Sequence, residues 1–266
     1  MAWMNGESLD GKLAELRDRL INIESKINTS MSGRSAQGES VPGVNHPDQW
    51  FGGYTWAQHG DDLVALNIFR TIGIERPSYL DIGAHHPFRI SNTALLYRLG
   101  SRGINVEANP NLIEEFYRHR PEDVNLNVGV AGESGTLKFY MIDKWSGRNT
   151  FNKESAEEFV RMYPSFQISE IIDIPVVTVT DILNQFCNGM FPDFLSLDVE
   201  GLDLSILQSI DFSRSAPKLI CVEANTAEDA KPLNAFLSVR GYELIFRAGG
   251  NIHFLQNHLK SQWLGC

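Results

Sequence analysis

Cysteine is scarce in this chain. Cys187, Cys221 and Cys266 are an odd number without metal-type spacing, so they suggest neither a disulfide framework nor a zinc motif and read as buried or incidental thiols. Basic residues are outnumbered: 23 Lys and Arg against 33 Asp and Glu leave a formal net charge of -10. That argues against a general nucleic-acid binder, which needs a basic face to neutralise phosphates. No apolar run approaches the roughly 20 residues of a spanning helix, and Met1 to Asp10 lacks a basic start followed by an apolar core. A cytoplasmic protein is the expectation. With 42% hydrophobic and 21% charged residues the composition is that of a globular chain, and 266 residues can hold one large α/β domain with an appendage.

What is present centres on Tyr79-Leu80-Asp81-Ile82-Gly83-Ala84-His85-His86-Pro87, answered by Gly103-Ile104-Asn105-Val106-Glu107-Ala108-Asn109-Pro110. An apolar run ending in Asp-x-Gly reads as the first strand of an open α/β sheet, because glycine lets backbone approach a ligand closely. The second run ends in Glu107, placed to accept hydrogen bonds from two ribose hydroxyls at a second strand tip. The dinucleotide fingerprint G-x-G-x-x-G is absent, since positions 85 and 88 are His and Phe, so a pyrophosphate has no obvious nest. A cofactor with a ribose and no phosphates is favoured, and S-adenosylmethionine is the commonest. In the bland alternative Asp81 caps a helix and Glu107 is a solvated strand end.

Along the chain, Leu9, Leu13, Leu16, Leu20, Ile23 and Ile27 form an a/d seam. Residues 1–28 are expected to be a coiled-coil helix that makes the chain a homo-oligomer through residues 9–27, with 29–45 as a Ser- and Gly-rich tether. A domain of residues 46–266 follows. It opens with the aromatics Trp50, Phe51, Tyr54 and Trp56, then Gln58-His59-Gly60-Asp61-Asp62, where the acids suit a helix cap and first turn. Strands are expected at 79–82, 104–107, 125–130, 194–199, 219–223, 242–247 and 251–255, with helices at 92–99, 112–118, 181–186, 204–210 and 232–240. Such alternation means a mostly parallel, doubly wound sheet. The last two strands are joined by Ala248-Gly249-Gly250, which is hairpin chemistry. Residues 136–179 break the alternation with a strand, the polar loop 143–152, an amphipathic segment and another strand. They read as a substrate-selecting insertion on the ligand side.

These pieces resemble the FkbM-type family of S-adenosylmethionine-dependent methyltransferases over about residues 50 to 255. The motifs are Gln58-His59-Gly60-Asp61-Asp62-Leu63, Asp81-Ile82-Gly83-Ala84 with Ser91-Asn92-Thr93, Glu107-Ala108-Asn109-Pro110 and Leu197-Asp198-Val199-Glu200-Gly201. The resemblance implies a class I, Rossmann-like, seven-stranded sheet. It implies cofactor contacts from Gln58, Asp62, Asp81, Gly83, Ala84, Asn92, Glu107, Asn109, Asn127, Val128, Asp198 and Glu200, with Asn127 as acceptor for the adenine amine. Two departures stand out: His85-His86-Pro87 replaces the usual Asn-x-Gly, and Asp203 replaces a frequent Glu.

Methyl transfer to oxygen needs orientation and a group that takes the hydroxyl proton. Asp198 is the first candidate base, at the end of a central strand, followed by His85 and His86. Asp198, Glu223 and His253 are expected at the ends of neighbouring strands, where they could hold a divalent metal that lowers the pKa of a sugar hydroxyl. The expected acceptor is a small molecule or glycan, and the expected function is O-methylation. A non-catalytic scaffold on a degenerate domain is the rival reading, which cofactor binding discriminates; a nicotinamide oxidoreductase is disfavoured by the missing third glycine.

Overall fold

The computed structural model describes residues 55–199 and 201–264. The seam at 9–27, the tether, the aromatics Trp50, Phe51 and Tyr54, and Glu200 lie outside the described residues.

A seven-stranded sheet forms the centre. Its strands are β1 (Tyr79–Ile82), β2 (Gly103–Val106), β3 (Val124–Leu126), β7 (Phe194–Leu197), β8 (Leu219–Glu223), β9 (Tyr242–Ala248) and β10 (Asn251–Gln256), in the order β3-β2-β1-β7-β8-β10-β9. The sheet is mixed, because β10 runs antiparallel to both β8 and β9 while the pairs among β3, β2, β1, β7 and β8 are parallel. The reversal follows from the short Gly249-Gly250 turn. Gly249 sits at φ +56, and a Cβ there would lie 2.1 Å from the His59 ring.

β1 is a wholly buried run, and its two faces do different work. Leu80 and Ile82 join Leu195, Leu197, Ile220 and Val222 in a core covered by α5 (Val179–Phe186), α6 (Asp203–Ser209) and α7 (Ala227–Ser238). Tyr79, Phe194, Leu219 and Leu255 pack on the other face against Ala65, Ile68 and Phe69 of α1 (Asp61–Thr71) and Leu96 of α2 (Ala94–Arg98).

That second face also carries a row of polar side chains. The strand registers place Asn125, Asn105, Asp81, Ser196, Cys221 and His253 side by side, one per strand. Asp81 accepts a 2.6 Å bond from the Thr93 hydroxyl, and Thr93 in turn accepts from Arg120 at 3.0 and 3.1 Å. Arg120, fully buried, reaches Asp123 at 3.0 Å and Tyr79 Oη at 2.7 Å, while Asn105 donates to Asp123 at 3.0 Å and to Asn125 at 2.8 Å. A buried guanidinium is tolerated because its donors are matched in this way.

Two elements differ from the sequence expectation. The third strand, expected at 125–130, is two strands in two sheets: β3 stays in the main sheet, and β4 (Gly129–Val130) pairs with β6 (Glu170–Val177). Between them the Asn127 amide donates to the carbonyls of Glu107 and Ala108 at 2.9 and 3.0 Å, turning the chain away from the main ladder. Helix α7 begins at Ala227, five residues ahead of the expected Pro232. Thr226 and Asp229 form a reciprocal capping box, so the start is set by the cap and Pro232 falls inside the helix.

The insertion is a three-stranded sheet, β4-β6-β5, with β5 (Gly135–Met141) antiparallel to β6 and α4 (Lys153–Met162) between them in sequence. Its buried residues Phe139, Met141 and Ile174 pack on Ala108, just past the tip of β2. The remaining helices are α3 (Pro110–His119) and α8 (Lys260–Leu264). Among the described residues no helix is long and apolar enough to cross a membrane.

Candidate functional site

A cleft of about 930 Å³, including its part open to solvent, lies at the carboxyl ends of β1, β2, β7 and β8. Its floor is the tight turn after β1. Gly83 N and Ala84 N both donate to Val106 O, and Asp198 N donates to Ile82 O at 3.0 Å, so three strand tips converge. A Cβ on Gly83 would sit 1.7 Å from the Asp198 carbonyl oxygen, and φ at Gly83 is +78. Only glycine fits that position.

The chain then turns at His85, φ +55, and its N–H donates to Glu107 Oε2 at 2.8 Å. Asn109 N donates to Glu107 Oε1 at 2.7 Å. Each carboxylate oxygen is thereby pinned by one backbone donor, and each keeps acceptor capacity for a ligand in the cleft. Burial pushes Glu107 up to about 7, with the two backbone donors acting in the opposite direction. Beyond Glu107 the wall is apolar, formed by Val106, Leu112, Val128, Val130, Phe139 and Phe151. The other end is polar, with Gln58, His85, Asp198 and Glu223.

The expected residues divide accordingly. Gln58, Gly83, His85, Glu107, Val128, Asp198 and Glu223 line the cleft. Asp62, Asp81, Ala84, His86, Asn92, Asn109 and Asn127 are not among its lining residues; they frame it. The Asp62 carboxylate accepts from Thr55 Oγ1 at 2.5 Å, Trp56 N at 2.8 Å and Leu63 N at 2.8 Å, holding the loop that presents Gln58. Asn109 caps α3 through Asn111 N at 3.0 Å and donates to Lys144 O at 2.9 Å, tying the insertion loop to the tip of β2. Asn92 donates to Ser196 Oγ at 3.2 Å. His86 Nδ1 accepts from Phe88 N at 3.1 Å, and burial drives its pKa well below the ordinary value.

The expected metal set does not assemble. Asp198 and Glu223 face the cleft, but His253 does not line it. The reversed strand β10 enters at Asn251, opposite Glu223, so His253 lies two residues deeper, opposite Cys221. There its Nε2 is 3.4 Å from Asp61 Oδ1, and burial lowers its pKa to about 4.

Sequence reasoning did not single out Ser146, Gly147, Arg148, Asn149, Thr150 and Phe151, which cover the cleft from the insertion. Their only signal was membership of a polar loop. Asn149 shapes that loop: it donates to Asp143 O at 2.8 Å and accepts from Ile142 N at 2.7 Å. Asp203, at the start of α6, accepts from Val199 N at 3.3 Å and Gly201 N at 3.2 Å and fixes the turn after β7. Burial and the neighbouring Glu223 raise it to about 7.

Residues 81–244 match the family model described as the methyltransferase FkbM domain. No curated protein matches the chain. Solved structures similar to this chain include two methyltransferases. One is the methyltransferase FkbM from Methylobacillus flagellatus KT, at 16% identity and TM-score 0.42, covering 68% of this chain and 44% of that one. The other is precorrin-6y C5,15-methyltransferase from Geobacter metallireducens GS-15, at 13% identity and TM-score 0.35, covering 71% of this chain and 84% of that one. The alignment thus spans less than half of the FkbM structure's length.

Proposed function

The chain belongs to the FkbM methyltransferase family, and from that premise we propose that it moves the methyl group of S-adenosylmethionine to a hydroxyl of a sugar, glycan or related natural product. The observation that carries the reading is Glu107, a carboxylate pinned by two backbone donors at the tip of β2, beside a glycine turn that a single Cβ would block. Those features fit a ribose held by both hydroxyls and a backbone approached closely.

S-adenosylmethionine supplies an electrophilic methyl on a sulfonium when bound. This chain's residues would do the rest. Glu107 accepts from the ribose, Gly83 leaves room beside the tip of β7, and the apolar wall of Val128 and Phe151 suits a flat base. Asp198 at the polar end takes the proton from the acceptor hydroxyl, with His85 as the other group placed to do so. Loop 143–152 gives the acceptor its outer wall, and its polar side chains suit a hydroxylated molecule. Homo-oligomerisation through residues 9–27 belongs to the same proposal.

Calorimetric titration with S-adenosylmethionine tests the first half. No binding to the folded protein would favour the scaffold reading. A labelled-methyl screen against sugar nucleotides and oligosaccharides tests the second half, and Asp198→Asn should then lower turnover by about 10² or more while cofactor affinity changes little. Equal loss of both would make Asp198 a cofactor-orienting residue and move the base to His85.

A further inference from the structure

Below the cleft, on the α1 side of the sheet, the polar row ends in a cluster that the methyl-transfer reading does not use. Asp61, Cys221 and His253 are all buried, Asp61 and His253 with no exposed surface. One donor atom from each lies within 4.8 Å of the others. His253 Nε2 is 3.4 Å and Cys221 Sγ 4.0 Å from Asp61 Oδ1. Among the described residues, Asp61 Oδ2 and both ring nitrogens of His253 make no well-directed hydrogen bond, with the Asn251 side chain beside Asp61 and the Phe246 backbone beside His253. Orphaned polar atoms at full burial are costly, and they call for a ligand that satisfies several at once.

The geometry points to a structural site for one zinc-class divalent ion, ligated by Asp61, Cys221 and His253. A thiolate, an imidazole and a carboxylate are the ligand types that such an ion takes together. Metal–ligand bonds of about 2.0 to 2.3 Å set the edges of a tetrahedron at about 3.3 to 3.7 Å. The nitrogen–oxygen separation already has that length; the sulfur–oxygen edge of 4.0 Å needs to close by a few tenths of an ångström, and the sulfur–nitrogen edge, within 4.8 Å, by at most about 1 Å. Thiolate and carboxylate together carry two negative charges, so a divalent ion makes the buried unit neutral. The Asn92 amide lies 3.8 Å from Cys221 Sγ, and with its carbonyl turned inward it would supply a neutral fourth ligand. An ion here would tie the first residue of α1 to β8 and β10, and so fix the loop that carries Gln58 into the cleft. It is distinct from a catalytic metal, since neither Asp198 nor Glu223 is a ligand.

The test uses the full chain, purified under reducing conditions, stripped with a chelator and titrated with Zn²⁺ alone and separately with Co²⁺. One equivalent of Zn²⁺ should bind and raise the thermal midpoint by several degrees, the scale of a tightly held ligand in a domain of this size. Co²⁺ should give a thiolate-to-cobalt charge-transfer band, which Cys221→Ser removes. Asp61→Asn and His253→Gln, chosen to keep shape, should each lower Zn²⁺ affinity at least tenfold. Absence of stoichiometric binding, or binding without a thiolate band, overturns the site. So does affinity unchanged in these variants when circular dichroism shows them folded. None of these readouts depends on methyl transfer, so the site and the activity stand or fall separately.

Discussion

Glu107 gives the sharpest handle on cofactor binding because its protonation and its ligand contacts are opposed. Burial lifts it to about 7 from an ordinary 4.5. A raised carboxyl holds its proton more tightly in the folded than in the unfolded chain. Its contribution to stability is therefore fully present below about pH 4.5 and is lost as pH rises through about 7, a difference of about 3 kcal/mol. Ribose hydroxyls donate, so they require the carboxylate. Affinity for S-adenosylmethionine should rise about tenfold per pH unit below 7 and level off above it. Glu107→Gln removes the titration, and its amide oxygen can accept from only one of the two backbone donors, at His85 and Asn109. The variant should bind about 2 to 3 kcal/mol more weakly, with the pH dependence gone. Calorimetry from about pH 5.5 to about 8.5, with circular dichroism to verify the fold, measures both quantities. The variant also controls for titration of the cofactor itself. A flat wild-type profile across pH 7, or the same slope in Glu107→Gln, would refute the reasoning.

Gly83→Ala places a Cβ 1.7 Å from the Asp198 carbonyl oxygen at a φ of +78; urea unfolding should show a loss of at least about 1 to 3 kcal/mol, and cofactor binding should vanish. Arg120→Met keeps an apolar stem but leaves the buried carboxylate of Asp123, its partner at 3.0 Å, without a counter-charge, so stability measured the same way should fall by about 3 to 5 kcal/mol. Replacing Leu16 and Leu20 with Gln should convert an oligomer to a monomer by sedimentation while leaving cofactor affinity intact; a wild-type chain that is already monomeric would contradict the seam.

Strand tips were the legible part of this molecule. β1 is found at the expected residues because a short apolar run ends at Gly83, a residue with a steric reason to be there. Glu107 and Asp198 follow from the same logic of runs that end in polar groups. Depth along a strand was not legible. His253 belongs to a strand whose reversal was expected, yet its position opposite Cys221 depends on counting registers across three strands. Asp62 and Asn109 show the other limit. Their residue types suit ligand contact and local backbone support equally well, and only the positions of Thr55, Trp56 and Asn111 show Asp62 holding a loop and Asn109 capping a helix. Pro232 misled because proline is usual in a first turn, whereas the Thr226 cap lies further upstream.

The polar row across the sheet has a bearing on how the chain finds one arrangement among many. A strand can slide by two residues against its neighbour and still show the same face to the core, so apolar packing alone discriminates poorly between such alignments. Here a two-residue slide of β7 would set Phe194 beside Asp81 in place of Ser196. Sliding β2 in the same sense would bring Gly103 there and carry Asn105 away from Asp123. Each misalignment buries a group without its partner, at a cost of roughly 1 to 3 kcal/mol per group. The row thus works as a key cut into the sheet. Apolar substitutes of similar volume could yield a protein that melts higher, yet one that no longer settles into a single alignment and whose strand tips, with the cleft they build, would be spread over several.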